Sequence, residues 1–160
     1  MRSVPLAVLL MSAVLASACA FVPAHRAFCA AASKWRDAAE RLEVTTNSVD
    51  RKSADGNKSM NDAFQKMAQI TIPATSAGTS EAEFGARIET TTGAAERWLS
   101  QGTKFFVLTA DGSTASVAQR ADAYDSYEKA RLEWNSDMRQ LNSYASVCDL
   151  KPITIYGTGG

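Results

Sequence analysis

The sequence predicts an all-α fold, an up-down four-helix bundle closed by one disulfide. Helix breakers are scarce, with 4 Pro and 9 Gly among 160 residues, while the strong helix formers Ala, Glu, Lys, Arg and Met are common. Four segments carry apolar residues at helical spacing, and polar or proline-containing turns separate them. Cys29 opens the first segment and Cys148 closes the fourth. An even number of antiparallel helices returns both ends of the chain to one pole, so four helices allow a Cys29–Cys148 bond and three straight ones do not.

The first helix is expected over residues 27–50. Phe28, Trp35, Leu42 and Val49 recur every seven residues, and Ala32 and Ala39 fill the same face. Asp37, Glu40, Arg41 and Glu43 fall largely off it. A polar turn over 50–57 leads to a second helix over 58–71, with Met60, Ala63, Phe64, Met67 and Ile70 as its stripe. Pro73 stops it, because proline lacks an N–H and clashes with the preceding turn. Ser80 and Glu83 form a capping-box pattern at the start of a third helix, expected over 81–108. Its face is Phe84, Ile88, Thr91, Ala95, Trp98, Gly102 and Phe105, and the weak run at 90–93 allows a kink. The fourth helix is expected from Thr114 to Asp149. Its stripe is Val117, Ala121, Tyr124, Tyr127, Arg131, Trp134, Met138, Leu141, Ala145 and Cys148, with Arg131 laid along its stem. Lys151-Pro152 ends it, and residues 151–160 are expected to be a flexible tail.

Bulk composition bounds the function. Apolar residues make up 46% of the chain, enough for one packed core. Lys plus Arg and Asp plus Glu are 17 each. That balance carries no footprint for nucleic acid and no polybasic attraction to anionic lipid.

The N-terminus is the most specific stretch. Arg2 precedes an apolar run over 4–15, too short to span a bilayer and the right length for a secretory signal core. Small residues follow at 16–20. The run over 15–19, Leu-Ala-Ser-Ala-Cys, resembles the lipobox of bacterial lipoproteins, with Ala16 where leucine is usual. The resemblance covers residues 2–19 alone. It implies a signal peptide over 1–20 and lipidation of Cys19, with a tether over 21–27 and the bundle over 28–150. An alternative cut after Ala20 leaves a soluble secreted protein beginning at Phe21. Phe21 and Pro23 after an Ala-Ser-Ala site are also similar to plastid-targeting leaders. Of the three cysteines, lipidating Cys19 or cutting after Ala20 leaves Cys29 and Cys148, which an oxidising compartment would join.

The mature part shows no convergent reactive set. The single histidine, His25, falls in the tether and is expected to be solvated, which argues against Ser-His, Cys-His and Glu-x-x-His chemistry. Tyr124, Tyr127 and Tyr144, or Met60, Met67 and Met138, could in principle ligate haem, but at helical spacing they read as core. Asp122, Asp125 and Glu128 could hold a cation and read as a solvated face. Asn57-Lys58-Ser59 is a glycosylation sequon, relevant only in a eukaryotic secretory host. The expectation is a non-enzymatic envelope lipoprotein that needs no cofactor. It would sit on the outer face of a membrane through its lipid and meet a protein partner there, not nucleic acid. The alternative is a secreted carrier of an apolar ligand or haem, which would show an exposed groove among Trp35, Trp98 and Trp134.

Overall fold

The structure is a computed structural model that describes residues 6–156, with side chains from residue 23 onward. Within it the chain is all-helical: α1 (Leu6–Ser48), α2 (Ala54–Ala68), α3 (Ser80–Thr109) and α4 (Val117–Asn142), then a 3₁₀ turn at Ala145–Cys148. The lipidation expectation at Cys19 rests on a side chain outside the described residues, and so does the loose end at 157–160.

The helices alternate in direction. Near the start of the bundle, Phe28 of α1 meets Phe84 of α3 edge-on with ring centroids 5.9 Å apart. Phe84 in turn stacks on Tyr144, just past α4, at 6.2 Å. Further along, Trp35 Nε1 donates to Thr92 Oγ1 at 3.0 Å. Trp98 of α3 stacks on Trp134 of α4 at 6.0 Å. At the far end Phe105 stacks on Tyr127 at 5.7 Å. Thus α1 and α3 run one way and α4 the other, and the Cys29–Cys148 disulfide closes the first pole with its Cα atoms 5.3 Å apart.

Caps explain where the helices begin. Ser53 caps α2 by accepting from Gly56 N at 2.9 Å, so this helix starts four residues earlier than the apolar stripe indicates. Gly56 is required there, since a Cβ would lie 1.9 Å from Asp50 O. The expected Ser80–Glu83 box is not the cap of α3. Thr79 holds that role, accepting from Ala82 N. A capping box does form at α4, where Ser116 and Gln119 bond reciprocally. The Thr run of α3 stays helical. The hydroxyls of Thr90, Thr91 and Thr92 bond back to the carbonyls of Ala86, Arg87 and Ile88.

Three expectations need correction. Residues 21–27 are part of α1, which runs through Pro23 without interruption, and do not form an extended tether. The fourth helix stops at Asn142, and the last turn before Cys148 is 3₁₀. The supposed flexible tail is docked over 151–156. Asn142 clamps Ile153 from both sides, accepting from its N–H at 2.8 Å and donating to its carbonyl at 3.0 Å. Arg36 Nε donates to Lys151 O at 2.9 Å, and Tyr156 N donates to Glu43 Oε2. Ile153 is buried. The tail is therefore a strap joining α1 to α4.

The core holds Phe28, Trp35, Leu42, Phe64, Met67, Phe84, Ile88, Trp98, Trp134, Met138 and Leu141 as expected. Two members of that set lie elsewhere. Phe105 is only partly buried and Tyr124 is exposed. On α4 the buried line near that end runs through Ala123, Tyr127 and Ala130, and on α1 it takes Thr46 where Val49 was expected.

Candidate functional site

The residue that departs furthest from its sequence reading is Glu43. Placed off the apolar face by periodicity, it is buried against α4. Trp134, 91 residues later, donates its indole N–H to Glu43 Oε1. The strap's Tyr156 N–H reaches Oε2. Burial pushes the Glu43 carboxyl above its ordinary value, partly offset by the Trp134 bond, the Tyr156 N–H and the Arg51 charge.

Glu43 forms part of a polar cleft between α1 and α4, a cavity of about 230 Å³. Leu42 and Thr46 on α1 point into the core, so their neighbours Glu43 and Asn47 turn toward α4. Arg51, just past α1, donates from Nε to Thr46 O at 2.6 Å and from Nη1 to the Tyr127 hydroxyl. Its guanidinium lies over the Trp98 ring, 5.6 Å from the centroid. From α4, Arg131 grips Glu128 with Nε and Nη2, the shorter bond being 2.8 Å, which raises its proton affinity further. Arg131 thus lines the cleft with its guanidinium in an ion pair. Asn135, which is buried, and Tyr156 complete the lining. Trp98, also in the wall, is 4% exposed, and its buried Nε1 meets no acceptor among the described residues.

The expected site residues fall elsewhere. Cys29 and Cys148 are joined at the opposite pole. His25 is not a solvated tether residue. Its Nδ1 lies 2.9 Å from Glu81 Oε1, and its Nε2 lies 3.7 Å from Cys29 Sγ. Glu81's own N–H at the start of α3, and then His25, hold that carboxyl below its ordinary range. Met67 and Met138 are core, and Asp122 and Asp125 face solvent. Among the described residues no group of three His, Cys, Asp or Glu is placed to share a metal ion, and no helix is long and apolar enough to cross a membrane. Trp35, Trp98 and Trp134 are buried, Trp98 in the wall of the cleft. A larger groove of about 670 Å³ runs between α1 and α2. Its lining includes the exposed Val44 and mixes Asp37, Arg41, Asp62 and Lys66, all in contact with solvent.

Comparison with known proteins finds no matching family model, no matching curated protein and no matching solved structure.

Glu43 makes stability pH-dependent in a definite direction. A carboxyl raised in the folded state favours folding most below its ordinary value near 4.5, and that contribution is lost as pH rises through the folded value. Glu43→Gln keeps an acceptor for Trp134 and removes the titration. Urea unfolding at a series of pH values should show wild type losing stability relative to Glu43→Gln as pH rises from about 4.5. A difference independent of pH would mean that Glu43 titrates normally.

Proposed function

We propose that this chain is an exported, non-enzymatic helical-bundle lipoprotein, acting as a binding or structural module at the cell envelope. The observation that carries the reading is the disulfide between the two ends of the bundle, a bond that persists in oxidising compartments and is rare in the cytosol. The lipobox-like run ending at Cys19 supplies the address. His25 sits at the disulfide pole and the polar cleft lies toward the other, so the histidine is not available as its acid or base. That arrangement favours binding over catalysis.

The continuity of α1 changes the expected stand-off. Eight residues lie between the lipidated Cys19 and Phe28. Extended, they would reach up to about 29 Å. As helix they span about 12 Å. The disulfide pole would face the membrane closely and rigidly, and the cleft would open toward the far end, where a partner can approach. The lipoprotein modification supplies more than one acyl chain, which holds a protein firmly at a bilayer.

Detergent phase partitioning of wild type against Cys19→Ser tests the anchor. Wild type should enter the detergent phase and the variant should remain aqueous. Recovery of both in the soluble exported fraction, with Phe21 as N-terminus, would show simple secretion.

A further inference from the structure

We propose that the cleft between α1 and α4 binds a small organic carboxylate, held by the Arg51 guanidinium and the indole N–H of Trp98. This deepens the binding-module reading, but it rests on the chemistry of the cleft and not on the anchor.

The cleft has unmatched donors. Arg51 is half-buried, and its contacts are a carbonyl, a hydroxyl and an aromatic face, all neutral. It forms no ion pair among the described residues, whose pairs are His25–Glu81, Arg36 with Asp37 and Glu40, Arg97–Glu133 and Arg131–Glu128. The Glu43 carboxylate of the same cleft feels the Arg51 charge without a direct contact, so the guanidinium has a countercharge nearby but no carboxylate bonded to it. Trp98 adds a buried N–H that meets no acceptor among the described residues, beneath the same guanidinium. Arg51 therefore keeps guanidinium N–H groups beyond the two it gives to Thr46 and Tyr127, and Trp98 Nε1 meets no acceptor among the described residues.

The rest of the cleft is balanced. Glu128 is taken by Arg131. Both oxygens of Glu43 already accept hydrogen bonds, from Trp134 and from Tyr156. What remains are the guanidinium N–H groups of Arg51 that Thr46 and Tyr127 do not take and the Trp98 N–H, donors that suit an anion with two oxygens in a plane. A guanidinium matches a carboxylate in that geometry with two parallel hydrogen bonds. The size of the cavity limits the rest of the molecule. About 230 Å³ is below the roughly 300–1,000 Å³ of sites for drug-sized ligands, so the occupant has few atoms beyond its carboxylate. The rings of Tyr127 and Tyr156 line the same cavity and offer faces for a short carbon body.

Isothermal titration calorimetry on the processed full chain tests this, with butyrate and benzoate as probes. Butyramide, benzamide and inorganic phosphate are the comparisons. One acid should bind saturably at a single site, and its amide at least about tenfold more weakly. Arg51→Gln should weaken binding about tenfold or more, and Trp98→Phe, which keeps the ring and removes the N–H, several-fold. If Arg51→Gln does not fold, the amide comparison and Trp98→Phe decide. Absence of saturable binding by either acid overturns the proposal, as do equal binding of acid and amide and tighter binding of phosphate. Cys19 does not enter this readout, so failure here leaves the anchor standing, and loss of the anchor leaves the cleft.

Discussion

Opening the Cys29–Cys148 bond should cost about 5 kcal/mol, because it closes a loop with a sequence separation of 119 and constrains the unfolded chain accordingly. Domains of this size hold only about 5–15 kcal/mol in total, so the reduced bundle should be marginal. The effect should reach beyond the bond. Val147, Leu150 and Ile155 pack on the core close to Cys148 in sequence, and Asn142 clamps the strap that follows it. Freeing Cys148 lets the 3₁₀ turn move away from α1, and the strap's bonds to Arg36 and Glu43 should weaken with it. Urea unfolding of wild type with and without reductant, and of Cys29→Ser with Cys148→Ser, measures this. A change below about 1 kcal/mol would show that packing alone holds the two ends together.

Truncation of Trp134 should rank beside it. The ring is fully buried, stacks on Trp98 and donates its N–H to Glu43. Trp134→Ala removes a large core side chain, a change that costs about 3–5 kcal/mol. It also leaves Oε1 of the buried Glu43 without its donor, adding about 1–3 kcal/mol. Trp134→Phe separates the two parts, since it keeps most of the packing and removes only the N–H. Its loss should be smaller and should grow as pH rises, because the undonated carboxylate is the less stable form. Thermal or urea unfolding at two pH values reads both. Equal losses for the two variants would show that the hydrogen bond, not the ring, matters.

The helices were readable because each carries its own period. Phe28, Ala32, Trp35, Ala39 and Leu42 name the buried face of α1 with no knowledge of its partners. The misses follow from the same period. A strict seven-residue repeat drifts by about 20° per heptad from a straight helix of 3.6 residues per turn. One further turn beyond Leu42 therefore lands on Thr46, and α1 ends at Ser48, before Val49. On α4, stepping back from Trp134 by 3.6 gives Ala130, Tyr127 and Ala123. Tyr124, part of the expected stripe, lies one residue off that line and is exposed, while Ala123 is buried. The boundaries were less legible. Thr79 and Ser116 are caps that compete with neighbouring serines and threonines, and Ser53 with Asp50 and Asp55, and only backbone direction chooses among them.

By itself the sequence determined the helical class, the number of helices and the pairing of Cys29 with Cys148. All three follow from local propensity, from periodicity and from the parity of an antiparallel chain. The tertiary structure alone decided the cleft. Glu43 is buried because Trp134 and Tyr156 arrive from 91 and 113 residues away with N–H groups to donate. Residues 151–156 become a strap because Asn142, Arg36 and Glu43 satisfy their backbone. A carboxylate on a helix reads as solvated until a partner compensates its desolvation, and no periodicity encodes where that partner will be.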